Sequence, residues 1–462
     1  MSANDPSNKS SDYLQMAPYW KMVSDISGGV RTMREAGIQY LPKFPAEDAD
    51  SYKRRRENAR MTNVFSDVVE NLARRPFQKP VMLTDTTSSE LVEFAEDVNG
   101  QGDNLHTFTA KLFQQALIDG LTWLMVDYTR LTSNRSLSDA QAKISSVRPL
   151  WVHYLASEAY GVYTDRIDGL EQFVEARFYE RSIERNGFEE NAVERMRVFR
   201  RPKSEDGVYG PAQWMVYRKK EARMNAQKKT EWEVEEGPYD LGIENIPLIG
   251  IVFGNRKGNT WAVTPPMRDA AYLQIELYQQ ENGLKNVRTQ TAFPMLAANG
   301  MSPKIGPDGA PMPIQAGPNV VLYGGESEGG GGNWNYIEPS ATSLQFLRED
   351  VRDTIREIRE LGRQPLTVQS GNLTVITTAV AAKKGNTAVQ AWVGILTHDL
   401  ENAFKITAQW MQIRNPRVGV AIYTDFDLGI GDDESFKYVL QLATGDNPLL
   451  SPQATLSEAQ RR

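Results

Sequence analysis

The chain predicts an α+β protein, and three observations carry that prediction. Helical and strand periodicities alternate through residues 17–254, three long helical patterns follow residue 264, and the segment between the first two of these is dense in Pro and Gly. The opening residues, rich in Ser, Asn, Asp and Lys, lack periodicity and read as a loose arm. Residues 17–38 and 47–75 read as helices. The second carries Val64, Val68 and Leu72 on one face and ends at Arg74-Arg75-Pro76, where proline cannot continue it. Leu105, Phe108, Leu112 and Ala116 mark a further helix, and Gly120 leads into a buried strand over Leu121–Tyr128. Between residues 148 and 254, short runs such as Phe173–Phe178, Met196–Phe199, Trp214–Tyr217 and Trp232–Val234 alternate with charged or Gly-Pro turns. They predict an antiparallel meander that closes on Ile249–Phe253.

The pattern changes at Thr264-Pro265-Pro266, an N-cap candidate with proline at the first helical positions. Ala270, Leu273, Leu277, Leu284 and Val287 then recur at helical spacing. The helix they predict has about 25 residues and, at about 1.5 Å each, is about 38 Å long. It stops before Phe293-Pro294 and gives way to a Pro/Gly-rich segment with a strand expected at Val320–Tyr323. A second long helix runs from Pro339-Ser340 to Gly362, so two long helices bracket a small projection. A third is expected from about Asn386 to Ile413, with Val389, Val393, Leu396, Leu400, Phe404 and Met411 near one face and Pro416 beyond its end. A short strand at Val418–Thr424 and a terminal helix complete the prediction.

Composition narrows the chemistry. The 462 residues include 52 Lys and Arg against 59 Asp and Glu, a net charge of −7, with 40% hydrophobic and 24% charged residues. This is the make-up of a core-forming protein, long enough for several domains. Its acidity argues against gripping nucleic acid over the whole surface, which needs clustered Lys and Arg. The absence of cysteine excludes disulfides, thiolate metal sites and cysteine nucleophiles. The longest apolar run, Leu248–Phe253, is too short to span a membrane, and the N-terminus opens polar, so neither a span nor a secretion signal is expected.

No constellation reads as an active site, and no cofactor is expected. His106, His153 and His398 are far apart without metal-ligand spacing, and structural roles are expected for them. Gly254-Asn255-Arg256-Lys257-Gly258 lacks the length and Lys-Ser/Thr ending of a phosphate loop and reads as a polar turn. The tract Gly324–Gly332 carries Glu326 and Glu328 where a phosphate cradle needs positive charge, so it reads as a flexible hairpin tip. The stretch Asp425–Glu434 has a misplaced turn glycine for a calcium loop.

The second long helix is the most informative stretch. Leu347, Val351, Ile355 and Ile358 form an apolar stripe; Arg348, Arg352, Arg356, Arg359 and Arg363 follow one residue later, and Glu349, Asp353, Glu357 and Glu360 one residue after that. At about 100° per residue the three stripes fan around the helix. Two readings stand side by side. The basic flank of one copy meets the acidic flank of the next, a head-to-tail contact that closes a ring; or the charges pair within the helix, as Glu349 with Arg352 and Asp353 with Arg356. Beyond this helix, Leu361 through His398 contains no Asp or Glu. Such a segment can approach phosphate without repulsion, or it can be a buried uncharged crossover.

This order of elements resembles that of the portal proteins of tailed bacteriophages. So do particular stretches: Tyr40–Glu47 followed by Tyr52 and Arg55–Ala59, Gly120 with Val126-Asp127-Tyr128, Arg148-Pro149 to Tyr154, Ile246-Pro247, the Pro265-Pro266 helix with Tyr278-Gln279, and Asp425-Phe426. The resemblance extends over nearly the whole chain. It implies a phage portal architecture of arm and α/β wing (1–264), stem helix (265–293), small α/β clip (294–338), stem helix (339–363), tunnel loop (364–385), long wing helix (386–414) and C-terminal wing with a short crown (415–462). The implied assembly is a homo-oligomeric ring of twelve at the capsid vertex of the virion, built in the host cytoplasm. It is not an enzyme and has no membrane partner. Double-stranded DNA passes its channel in packaging and ejection, and its partners are the terminase large subunit, a head–tail adaptor, and the major capsid and scaffolding proteins. Carried over by position, Lys383, Lys384, Lys285, Arg288, Asn372 and Thr374 fall in channel segments. Arg348, Arg352, Arg356, Arg359, Glu349, Asp353, Glu357 and Glu360 fall at the subunit interface. Lys304, Asp308, Tyr323, Trp334 and Tyr336 fall in the clip that would meet the adaptor. The alternatives are another phage structural ring, such as an adaptor or tail component, and a metal-dependent hydrolase using Asp425, Asp427 and Asp432.

Overall fold

The computed structural model describes residues 5–45, 47–128, 148–224, 227–291, 295–299, 333–337, 341–362 and 375–425. In chain order these form helices α1 (Ser11–Ser27), α2 (Gly29–Ala36), α3 (Ala49–Glu57) and α4 (Val64–Arg74), strand β1 (Met82–Leu83), then α5 (Ser89–Phe94) and α6 (Leu105–Asp119). Strands β2 (Leu121–Tyr128), β3 (Pro149–Leu155), β4 (Ala159–Ile167), β5 (Leu170–Asn186), β6 (Glu189–Arg200), β7 (Gln213–Met224), β8 (Gln227–Asp240) and β9 (Leu248–Val252) follow. After the short pair β10 (Asn255–Arg256) and β11 (Val263–Thr264) come α7 (Arg268–Thr291), β12 (Met295–Asn299), β13 (Asn333–Ile337), α8 (Ala341–Leu361), α9 (Val375–Trp410) and β14 (Val420–Ala421). The chain divides into two compact units: Met1–Trp20 with Val68–Met267 and Gly362–Arg462, and Lys21–Asp67 with Arg268–Leu361.

In the first unit, Asn104 caps α6 by accepting from the Thr107 amide at 2.9 Å, and the helix ends on left-handed Gly120. A Cβ at Gly120 would stand 2.9 Å from Pro265 Cα, so both its φ and its neighbours require glycine. Strand β2 emerges from this turn and is central in the antiparallel sheet β3-β2-β9. The predicted meander forms as β4-β5-β6-β7-β8, but Ile249–Phe253 does not close it, since β9 pairs with β2 from Leu121↔Val252 to Met125↔Leu248. An apolar run such as Leu248–Val252 has no polar face to give to solvent, whereas the meander strands alternate charged and apolar residues. Against this sheet lies an aromatic core. Trp151 is met at 4.9–5.8 Å by Phe404, Phe94 and Phe108, and its indole N–H donates to Thr407 Oγ1 at 2.9 Å. Val389, Val393, Leu396, Leu400 and Phe404 of α9 are buried, as their spacing predicts.

The N-terminal segment is not loose from residue 5 onward. Ser7 N–H donates to Asp5 Oδ1, Arg177 to the Pro6 carbonyl, Ser10 N–H to the Tyr160 carbonyl, and Trp232 Nε1 to Ser7 Oγ, which seats residues 5–10 on the meander. Helix α9 also departs from expectation by starting at Val375, eleven residues early. The Ala-rich run before Lys383-Lys384 favours helix, and Gly385 within it costs only about 1 kcal/mol. Lys383 and Lys384 therefore lie in a helix and not in a loop.

The two long N-terminal helical patterns are each broken. Gly28 stands between α1 and α2, which opens on Gly29 with φ of 75°, and residues 58–63 run without helix between α3 and α4. Helices α7 and α8 bracket the hairpin β12–β13, paired from Met295↔Ile337 to Asn299↔Asn333. The strand expected at Val320–Tyr323 and the terminal helix lie outside the described residues.

Candidate subunit interface and channel segments

Helix α7 buries a polar ladder as well as an apolar stripe. Gln274, Tyr278, Glu281 and Asn282 are buried and, with Lys285, follow one another at spacings of three, four or one. The side chains of Gln274, Glu281, Asn282 and Lys285 take up the backbone of the segment after α3. Asn282 accepts from the Arg60 N–H at 2.8 Å and donates to the Arg60 carbonyl at 2.9 Å. Glu281 accepts from Thr62 N–H and Oγ1, and Gln274 accepts from Phe65 N–H and donates to the Thr62 carbonyl. Lys285 Nζ donates to the Asn58 carbonyl at 2.6 Å, and Gln279 Nε2 to the Tyr40 carbonyl at 3.0 Å. A segment outside helix and sheet must satisfy its backbone groups somewhere, and here α7 does it.

Beside the ladder is a groove of about 580 Å³ lined by Phe44, Pro45, Glu47 and Asp48, by Ser51, Arg54, Arg55 and Asn58 around α3, and by Asn282, Lys285, Asn286 and Thr289 of α7. Arg55 holds Phe44 and Glu47, donating from Nε and Nη2 to Glu47 at 2.8 and 2.7 Å and lying 4.0 Å over the Phe44 ring. The guanidinium holds the Glu47 carboxyl below its ordinary pKa. Among the groove residues, sequence reasoning made Lys285 alone a site candidate, and it noted Tyr40–Glu47 and Arg55–Ala59 only as stretches of resemblance. The missed signal was polar residues at helical period, which bind backbone distant in the chain.

On α8, Ile358 is buried and Leu347, Val351 and Ile355 are half-buried, while the flanking charges are exposed or, at Arg359, half-exposed. Of the two intrahelical pairs considered, Asp353–Arg356 forms at 3.2 Å; Arg359 instead reaches Asp67 at 3.4 Å. Glu349 and Arg352 have no ion pair among the described residues. Arg288 is exposed in the last turn of α7. Trp334 and Tyr336 stand on β13, opposite Ala298 and Leu296. Lys304, Asp308, Tyr323, Arg363, Asn372 and Thr374 lie outside the described residues.

The three histidines lie apart, each with its own neighbour. Half-buried His153 meets Thr122 Oγ1 at 2.7 Å and is pushed down to about 4 by desolvation and by Lys111; His106 Nδ1 accepts from the Val81 N–H at 3.3 Å; exposed His398 meets Asn402 at 3.1 Å. Burial pushes Asp119 and Asp399 up to about 7. Among the described residues no group of three or more His, Asp or Glu side chains is placed to hold a metal, and no helix is long and apolar enough to cross a membrane. Asp425 is exposed, and Asp427 and Asp432 lie outside the described residues.

Residues 266–411, which take in α7 through α9 and less than half of the chain, match the family described as a domain of unknown function, DUF4055. None of the curated proteins matches. Among solved structures, the chain is similar to one titled as the neck of a native GTA particle computed with C12 symmetry, at 13% identity and a TM-score of 0.41 over 84% of this chain and 87% of that one. It is likewise similar to the neck of an empty GTA particle computed with C6 symmetry, at 13% identity and a TM-score of 0.41 over 91% and 96% of the two chains.

Proposed function

We propose that this chain is the portal subunit of a phage-like particle, a structural ring that conducts double-stranded DNA at the capsid vertex. The observation that carries the reading is the order of α7, the β12–β13 hairpin, α8 and α9. Two long helices flank a small antiparallel β pair, and a third, longer helix belongs to the first unit and packs in its aromatic core. In this reading α7 and α8 are the stem and the hairpin belongs to the clip, which docks the terminase and later the head–tail adaptor. The residues before α9 and its first turns form the tunnel, with Lys383 and Lys384 as its cationic positions. The exposed flanks of α8 form the contact between subunits, because charges that find few partners among the described residues can find them on a neighbour. A net charge of −7 suits a conduit, since a wall that bound phosphate tightly would hold DNA instead of letting it slide.

Electron microscopy of the purified protein tests the reading. Rings with a central opening wide enough for duplex DNA are expected, with the hairpin unit projecting on one side. Rings without an opening, or with one too narrow for a duplex, would refute a conduit and favour an adaptor or tail ring.

A further inference from the structure

The groove beside α7 has an unusual charge inventory. Both of its carboxylates are committed, Glu47 to Arg55 and Asp48 to the amides of Asp50 and Ser51 at the start of α3. Of its cations, Arg55 is taken up by Glu47, and among the described residues Arg54 and Lys285 are not paired with a carboxylate. Arg54 is exposed and has no ion-pair partner among the described residues, and the amine of Lys285 donates to a neutral carbonyl. Phe44, 40% exposed, and Pro45 add an apolar rim. An occupant with one apolar side chain beside one or two carboxylates fits this surface.

Helix α8 carries that combination. Phe346, Glu349 and Asp353 recur at i, i+3 and i+7 and so share one side, away from the Leu347, Val351 and Ile355 stripe. Phe346 is 67% exposed, an uncommon degree for a phenylalanine. The heights also agree. Met295 pairs with Ile337, α7 ends four residues before this pair and α8 begins four residues after it. Helices α7 and α8 pack on each other, and, counted from this pair at about 1.5 Å per helical residue, equally distant positions correspond. Asn286 corresponds to Phe346 and Lys285 to Leu347. Rotation about a ring axis preserves height along that axis, so residues level within one subunit can meet across the joint between two.

We propose that the groove receives the acidic side of α8 from a second copy of this chain, with Phe346 against the Phe44–Pro45 rim and Glu349 between Arg54 and Lys285. The choice of a second copy rests on the ring reading. The groove itself rests on the geometry of one subunit.

The chain has no cysteine, which makes a direct test simple. Full-length Phe44→Cys and Phe346→Cys proteins, assembled together and oxidised, are expected to give a disulfide-linked dimer on a denaturing gel, while either alone gives none. In parallel, Arg54→Glu with Lys285→Glu, and separately Glu349→Lys, are expected to raise the protein concentration needed for assembly at least tenfold, and all three together to restore it. Normal rings from the Arg54→Glu/Lys285→Glu protein, together with no mixed disulfide, would overturn the groove contact and leave the ring reading standing. A wild-type protein that stays monomeric would overturn both. Rings that persist while binding of a short DNA duplex is lost would assign the groove to nucleic acid instead.

Discussion

Replacing Asp119 by Asn should stabilise the protein at alkaline pH and do little at acid pH. The side chain is buried at the end of α6, where Gln115 Nε2 donates to Asp119 Oδ2 at 2.6 Å. Burial, only partly offset by that bond, raises its pKa from 3.8 to about 7, and the charge of Glu158 adds to the rise. The sign follows from proton counting. Between the two values the folded protein holds a proton that the unfolded chain has released, so stability is greatest below about pH 4 for this group and falls until about pH 7. A shift of about three units corresponds to roughly 4 kcal/mol lost by alkaline pH. Asn has no charge to desolvate, and its carbonyl can accept from Gln115 as the carboxyl does. Urea denaturation of both proteins from about pH 5 to about pH 8 is the assay, read as the midpoint at constant slope. The stability difference should widen with pH toward roughly 4 kcal/mol. Part of the wild-type slope should survive in the variant, because Asp399 is raised in the same direction. Parallel profiles for the two proteins would refute the assignment of a desolvated carboxyl to Asp119.

Asn282→Ala leaves the Arg60 N–H and carbonyl without partners and should cost about 2–5 kcal/mol, seen as a lower denaturation midpoint and faster hydrogen exchange in the peptide containing Arg60. Unchanged exchange there would mean that the ladder on α7 does not hold the segment. Gly120→Ala forces a left-handed Ala against the Pro265 backbone and should cost more than about 1–2 kcal/mol, measurable as a lower melting temperature; a neutral result would contradict the described turn. Lys383→Glu with Lys384→Glu should leave ring formation intact and sharply reduce the DNA packaged per particle, quantified by nuclease-protected DNA. Normal packaging would remove both lysines from the channel.

Periodicity made the apolar stripe of α9 legible, because Val389, Val393, Leu396, Leu400 and Phe404 are buried by a single face of one helix. Its start was not legible. Gly385 reads locally as a stop, and the helical preference of the residues before it outweighs one glycine. The partner of β9 escaped for a different reason: an apolar run records that it is buried but not against which strand. In the candidate site the three stripes of α8 were legible as a pattern, yet Arg359 pairs with Asp67, nearly three hundred positions away in sequence, which spacing cannot register. The α7 ladder was hidden because Gln274, Glu281 and Asn282 look like solvent-facing residues until the backbone of residues 58–65 is brought to them.

The most direct test of the ring reading is the mass of the purified full-length protein in solution by native mass spectrometry. One closed species at about twelve times the 52.0 kDa chain is expected, with its population falling as salt screens the charged flanks of α8. A single monomeric species at concentrations where rings should be saturated would contradict it.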